Sequence, residues 1–170
     1  FLDEFCRSTD PNVLTLACQI LSVPDPYVAC CVERWESQGR PSLDQFLPYS
    51  SHVLKVELLY YLGVSRGLIS GERSTNKVDL AYLFYLPFTN VFTSNDGLHH
   101  RTVPLFLRSD QVYLKADDLK RGLREIDGHF EQLPPEVKER GVLVFAQSPP
   151  PDLKNPITEA WDQYGRSDWR

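Results

Sequence analysis

The sequence predicts an α/β fold in which a parallel sheet is flanked by helices and the N-terminal half is rich in helix. Three observations support this prediction. Apolar residues recur at helical spacing through the first half, short apolar segments of strand length follow in the second half, and further helices alternate with these segments. Alternation of this kind usually produces a parallel sheet that helices cover on both faces.

The helix-rich part is predicted over about residues 1–70. Asp10 followed by Pro11 is typical of a helix start, because Asp caps the first turn and Pro fits its first position. A second helix is predicted from Asp25 or Pro26 to Gly39. The stretch His52–Val64 is long and rich in leucine, which favours a buried helix over a strand.

A part with strands is predicted over about residues 71–147, and a tail with one short helix over about residues 148–170. The elements predicted after residue 71 are, in chain order, a short apolar helix Leu80–Leu86, a strand Asn90–Ser94, a strand Gln111–Lys115, an amphipathic helix Asp117–Leu133 with an aspartate cap, a short helix from Pro134 to Gly141, a strand Val142–Ala146 and a tail helix around Ile157–Tyr164.

Composition narrows the class of protein. The chain has 170 residues, of which 42% are hydrophobic and 24% charged, and it carries a net charge of −5. The negative charge argues against a protein that coats nucleic acid by bulk charge. No run of about 18 apolar residues occurs, so we expect no membrane span. The four cysteines form no C-x-x-C pair, and we interpret them as reduced core residues of a cytoplasmic protein.

Three carboxylates are candidates for chemistry because their sequence neighbours are apolar. Glu57 lies within VLKVELLYYL, where Lys55 is too close along the helix to be its partner. Asp79 precedes an apolar helix, and Asp96 follows an apolar strand. Each also has a structural explanation: Glu57 can reach water at the edge of its face, Asp79 can cap a helix, and Asp96 can belong to an Asn-Asp-Gly turn.

Together the carboxylates predict a metal site. If the predicted helix packs antiparallel to the strand, Asp79 and Asp96 lie near each other at one edge of the sheet. Clustered carboxylates repel unless a cation neutralises them, and hard oxygen ligands select Mg²⁺ or Mn²⁺. Such metals commonly support phosphoryl chemistry.

The stretch from Asp79 to Asp96, DLAYLFYLPFTNVFTSND, resembles the C-terminal motif of PIN-like nuclease domains. The resemblance covers about residues 53–116. It implies that Asp79 matches the acid that opens a helix, that Asp96 matches the acid at the strand end, and that Ser94 stands at the hydroxyl position before it. It makes Glu57 the candidate for the acid in the middle of the domain. The implied activity is cleavage of RNA with Mg²⁺ or Mn²⁺.

The resemblance also implies partners. Single-stranded RNA is the expected substrate. The candidate contacts to it are Lys77, Ser94, Asn95, His99 and Arg101. A homodimer or an antitoxin-like partner is the expected protein partner. For His99 and its neighbour His100, an exposed pair in a loop is the structural alternative.

The beginning of the chain departs from the family pattern. PIN-like domains open with a hydrophobic strand that ends in Asp, and the first 50 residues contain no convincing example. The chain has no Met and begins Phe1-Leu2-Asp3, which indicates a processed chain or a fragment. The first acid of the metal site is therefore either Asp3 or a residue upstream.

Two hypotheses follow from the sequence. The chain is a metal-dependent endoribonuclease of PIN type, or a part of one, or else it is a catalytically inactive α/β interaction module. The environment of Glu57 distinguishes them. Convergence of Glu57 with Asp79 and Asp96 favours the nuclease, whereas an ion pair between Glu57 and a Lys or Arg favours the interaction module.

Overall fold

The computed structural model describes residues 2–165, which divide into two compact units. Residues 2–87 form a unit made of helices, here called the helical unit. Residues 88–165 form a unit that contains a sheet, here called the mixed unit. The segment 71–87, which the sequence groups with the strands, therefore lies in the helical unit.

The helical unit contains helices of between 4 and 18 residues. Its α-helices are α1 (Leu2–Cys6), α2 (Pro11–Ile20), α3 (Asp25–Ser37), α4 (Leu43–Phe46), α5 (Pro48–Ser65) and α6 (Thr75–Ala81), and a 3₁₀ helix, Tyr82–Phe88, follows directly. The predicted cap of α2 is confirmed, because an Asp10 side-chain oxygen accepts a hydrogen bond of 2.8 Å from the Asn12 backbone N–H. The predicted helix over His52–Val64 is confirmed as the greater part of α5.

The core of the helical unit surrounds Trp35, whose side chain is fully buried. Leu14 from α2, Leu43 from α4 and Leu54 from α5 belong to the same buried cluster. The indole N–H of Trp35 donates a hydrogen bond of 2.6 Å to the Pro41 carbonyl oxygen, so burial leaves this polar group satisfied. The helical periodicity of the sequence thus corresponds to one shared apolar core.

The mixed unit is built on two short parallel strands, β1 (Val91–Ser94) and β2 (Val112–Lys115), with Val91 opposite Val112 and Ser94 opposite Lys115. Its α-helices are α7 (Gly97–Thr102), α8 (Ala116–Glu131), α9 (Pro135–Lys138), α10 (Val142–Phe145) and α11 (Pro156–Tyr164), and a 3₁₀ helix, Val103–Leu105, follows α7. The α/β class and the two strands are therefore confirmed.

One predicted strand is wrong, because Val142–Ala146 contains helix α10 instead. The segment is exposed, with 80% of Leu143 accessible to solvent, and no strand among residues 2–165 pairs with it. An unpaired strand would leave its backbone groups without partners, whereas a helical turn satisfies them locally. The Val144 N–H donates to the Gly141 carbonyl oxygen at 2.9 Å.

Two predicted helix starts are also wrong. Helix α6 begins at Thr75, so Asp79 lies in its second half and does not open a helix. Helix α8 begins at Ala116 without a side-chain cap from Lys115 or from an aspartate. The carboxamide oxygen of Asn95 instead accepts from the Asp117 N–H at 3.3 Å. A residue from a distant loop thus replaces the expected local cap. The predicted tail helix is present as α11. Residues 166–170, the last part of the predicted tail, lie outside the described residues.

Candidate functional site

The residues predicted to form the site are divided between the two units. The helical unit holds Asp3, Glu57, Lys77 and Asp79, and the mixed unit holds Ser94, Asn95, Asp96, His99 and Arg101. The predicted proximity of Asp79 and Asp96 stays a prediction.

Asp3 forms an ion pair with a lysine. Its carboxylate lies 2.9 Å from the Lys55 Nζ, and the same ammonium lies 3.2 Å from the Asp44 carboxylate. The Ser51 hydroxyl donates a further hydrogen bond of 2.5 Å to Asp44. The hydrogen bond from Lys55 and its positive charge hold the pKa of Asp3 below its ordinary value. This arrangement joins α1 and α4 to α5, so Asp3 has a structural partner.

Glu57 is also paired with a lysine. Its carboxylate lies 3.4 Å from the Lys77 Nζ, and its side chain is only 16% exposed. Lys77 donates a hydrogen bond of 3.3 Å to the Tyr61 hydroxyl, and its Nζ lies 5.3 Å from the centre of the Tyr61 ring. The hydrogen bond to Tyr61 and the charge of Glu57 raise the pKa of Lys77, although burial acts against them. The ion pair is the outcome that favours the interaction module.

Asp79, which lies in α6 close to Lys77 along the chain, is partly exposed. Its position within the helix differs from the helix-opening position that the resemblance implies for it. Asp79 therefore matches the motif in residue type but not in its position within a helix.

Ser94 and Asp96 lie where strand β1 ends. The Ser94 hydroxyl oxygen accepts from the Asp96 N–H at 2.9 Å and shares a hydrogen bond of 2.8 Å with His99 Nδ1. An Asp96 carboxylate oxygen accepts from the Leu98 N–H at 2.6 Å and so caps α7. The predicted turn at Asn95–Gly97 is therefore the start of a helix. His99 is buried, with its ring edge-on to Phe92, so it is not the exposed loop residue of the structural alternative.

Sequence reasoning missed Tyr113 as a neighbour of this cluster. The Tyr113 hydroxyl donates to the Ser94 carbonyl oxygen at 3.2 Å and is hydrogen-bonded to His100 Nδ1. Burial raises the pKa of Tyr113, and the negative charge of Asp96 raises it further. The parallel pairing of β1 and β2 brings Tyr113 close to Ser94, and a single sequence carries no signal of that register.

The remaining predicted contacts to substrate have local structural roles or are exposed. Asn95 caps α8, as described above. Arg101 is exposed, and its Nε donates to the Gly97 carbonyl oxygen at 3.3 Å within its own helix.

Three of the acids implied as Mg²⁺ or Mn²⁺ ligands already have partners within the protein. Among residues 2–165, no group of three or more His, Cys, Asp and Glu side chains is arranged to hold a metal ion. An ammonium group already lies beside Asp3 and beside Glu57, and Asp96 accepts a helix N–H. The metal site implied by the resemblance therefore stays a prediction.

Comparison with protein-family models, with curated proteins and with solved structures finds no match to this chain. Within residues 2–165, no helix combines the length and the apolar character that crossing a bilayer requires.

Proposed function

We propose that this chain is a protein-interaction module that associates with a second copy of itself through a face formed by Val78, Tyr82 and Tyr85, here called the tyrosine face. The proposal belongs to the second of the two hypotheses from the sequence. The ion pair between Glu57 and Lys77 supports it, because this acid already has a fixed positive partner.

The observation that carries the proposal is a segment with apolar residues on two opposite faces. Leu80, Leu83 and Leu86 are almost completely buried. On the other side, Val78, Tyr82 and Tyr85 are 61%, 56% and 64% exposed and follow one another at helical spacing across α6 and the 3₁₀ helix. A surface helix usually presents polar residues to solvent, so an apolar outer face indicates a contact surface.

A second copy suits the chemistry of the tyrosine face. Tyrosine is enriched in protein interfaces because its ring buries a large apolar area and its hydroxyl still finds a hydrogen-bond partner. The three side chains carry no formal charge. These three side chains therefore add no like-charge repulsion when two identical faces meet about a twofold axis.

Sedimentation velocity on the wild-type chain and on the double variant Tyr82→Ala/Tyr85→Ala tests this proposal. We expect a concentration-dependent dimer for the wild type and a monomer for the double variant. Tyr27→Ala is the matched control, because Tyr27 is 66% exposed in the same unit but lies on α3, away from the tyrosine face in sequence. A wild-type chain that remains monomeric at about 100 μM would overturn the proposal.

A second candidate function is metal-dependent RNA cleavage. The position of Ser94 and Asp96 favours it. Ser94 is the last residue of β1, Asp96 follows shortly after it, and β1 is parallel to β2. Ligands bind beyond the carboxyl ends of parallel strands. The residue types of Asp79, Ser94 and Asp96, which match those of the PIN-like motif, support it as well.

Incubation of single-stranded RNA with Mn²⁺ and either the wild type or Asp96→Asn tests this candidate. The asparagine keeps a side-chain oxygen that can cap α7 and removes the charge, so the variant separates catalysis from folding. Cleavage that Asp96→Asn abolishes would support the nuclease. Equal RNA patterns from both proteins would exclude it for this chain.

A further inference from the structure

A histidine binds the 3₁₀ helix that carries Tyr82 and Tyr85 to helix α5. The Nε2 atom of His52, in α5, lies 2.8 Å from the Leu83 carbonyl oxygen, although the two residues are 31 positions apart in the chain. A carbonyl oxygen can only accept a hydrogen bond, so Nε2 of His52 carries a proton and donates it. His52 is half-buried, which partly shields this hydrogen bond from water.

Pro87 leaves the Leu83 carbonyl oxygen without the donor that a continuous α-helix would provide. In an α-helix this oxygen accepts from the N–H four residues further on, which is position 87. Proline has no N–H, and the segment forms a 3₁₀ helix of seven residues instead. Such helices are usually no longer than roughly three or four residues, because their hydrogen-bond geometry is poorer. The hydrogen bond from His52 is therefore a tertiary support for a winding that the segment holds weakly by itself.

The 3₁₀ winding aligns the side chains of the tyrosine face. Residues three apart are eclipsed in a 3₁₀ helix, whereas in an α-helix they are turned by about 60° from each other. Tyr82 and Tyr85 are three apart, and both are more than half exposed. Leu83 and Leu86 are also three apart, and both are almost completely buried. The same winding thus directs two tyrosines outward and two leucines into the core.

We infer that His52 is a positioning residue for the tyrosine face. Its hydrogen bond to Leu83 holds the 3₁₀ winding that presents Tyr82 and Tyr85 to a second copy of the chain. The inference rests on the proposed dimer and adds to it a residue that acts on the contact surface from the neighbouring helix.

Sedimentation velocity over a series of protein concentrations measures the effect on the dimer. His52→Phe keeps a planar ring and removes the N–H, whereas His52→Gln keeps a donor in its side-chain amide. We expect the dissociation constant of the dimer to rise about tenfold in His52→Phe, the effect of losing one hydrogen bond, and to stay near the wild-type value in His52→Gln. His129→Phe is the matched control, because it makes the same change at a half-buried histidine of the mixed unit. It should leave the dissociation constant unchanged.

Thermal denaturation of the same proteins separates positioning from stability. A lower melting temperature of His52→Phe with an unchanged dissociation constant would assign His52 a purely structural role and overturn the inference alone. Equal weakening of the dimer by His52→Gln and His52→Phe would also overturn it, because the donor would then not matter. A wild-type chain that remains monomeric would overturn the proposed function and this inference together.

Nitrogen-15 NMR of the wild-type protein tests the hydrogen bond without any variant, which keeps the inference testable if His52→Phe does not fold. The imidazole nitrogen shifts distinguish a proton on Nε2 from a proton on Nδ1. We expect His52 to carry a proton on Nε2 that exchanges slowly with solvent. A neutral His52 ring with its proton on Nδ1 would overturn the inference.

Discussion

The candidate site residues of the helical unit and of the mixed unit have different partners. In the helical unit, lysine ammonium groups lie beside Asp3 and Glu57, in the pairs with Lys55 and Lys77. In the mixed unit, the side chains of Asp96 and Asn95 instead accept hydrogen bonds from backbone N–H groups at helix starts. An acid in apolar surroundings needs a positive or hydrogen-bonding partner, and a metal ion is only one way to supply it.

The units also differ in what holds their elements together. The helical unit has a large aromatic side chain, Trp35, at the centre of its core. In the mixed unit, α11 is joined to α8 through Asn155, a buried polar residue, and through a close approach at Gly122. We therefore expect the helical unit to lose most stability when a core side chain is truncated. We expect the mixed unit to be more sensitive to a side chain added at a close backbone approach.

Trp35→Ala should have the largest effect. It removes a fully buried side chain and leaves a cavity, so we expect a loss of about 3–5 kcal/mol in the free energy of unfolding. Urea denaturation followed by circular dichroism measures it. Trp35→Phe should cost less, since it retains most of the packing and loses the hydrogen bond to Pro41. A loss below about 1 kcal/mol for Trp35→Ala would mean that the core does not depend on this residue.

Gly122→Ala should come next and tests the close approach in the mixed unit. An added Cβ would lie 2.6 Å from Ile157 Cγ1 and 3.2 Å from the Asn155 carboxamide oxygen, so we expect a loss of about 2 kcal/mol from overpacking. Gly128→Ala is the matched control in the same helix. Its Cβ would meet nothing within 4 Å, and alanine should stabilise α8 by about 0.5–1 kcal/mol. Equal effects of both substitutions on urea midpoints would contradict the packing argument.

Asp96→Ala should have a smaller effect, because it removes one helix cap. We expect a loss of about 1 kcal/mol in the free energy of unfolding, whereas Asp96→Asn should retain most of the stability. Thermal denaturation of the three proteins measures the difference. A loss for Asp96→Asn as large as for Asp96→Ala would show that the charge of Asp96, rather than its capping oxygen, stabilises the unit.

Lys55→Met should have the smallest effect, about 0.5–1 kcal/mol at neutral pH, because Asp3 is largely exposed and exposed ion pairs contribute little. Burial lowers the pKa of Lys55, but hydrogen bonds to Asp3 and Asp44 outweigh it and raise the pKa above its ordinary value of 10.5. The pKa of Asp3 is below its ordinary value of 3.8 because of the hydrogen bond from Lys55.

These shifts set the pH window of the Lys55 prediction. The contribution of Asp3 is present above its ordinary pKa and is lost as pH falls through its lowered value. The contribution of Lys55 is present below 10.5 and is lost as pH rises through its raised value. The stability difference between wild type and Lys55→Met, measured by urea denaturation, should therefore be constant near neutral pH and shrink in acid. A difference that grows in acid would contradict this account.

The parts of the fold that could be predicted from sequence are those that local patterns determine. The Asp10 cap and the periodic apolar residues of α5 are local signals, and both correspond to helices. Val142–Ala146 was not predictable in this way, because a short apolar segment suits a strand or a helix until a partner strand is known. Among the described residues, no strand pairs with this segment.

The candidate site was less predictable, because its contacts join distant parts of the chain. The sequence shows that Glu57 needs a partner and that Lys55 is excluded by geometry, but the partner, Lys77, lies in another helix. Asn95 and Tyr113 are similar cases, since the parallel register of β1 and β2 determines what they contact. The local sequence pattern identified Glu57 as an acid that needs a partner. The partners of Glu57, Asn95 and Tyr113 could be identified only from the tertiary structure.

Asn155 affects how α11 docks on α8 and undocks from it. Its side chain caps α11 by accepting from the N–H groups of Ile157 and Thr158, and the same carboxamide donates to the Gly122 carbonyl oxygen and to Glu125. Formation of α11 and its docking on α8 therefore share one residue, so neither is stable in full without the other. Amide hydrogens in the first turn of α11 should exchange with solvent at the rate at which the helix undocks, as one cooperative unit with its neighbours on α8.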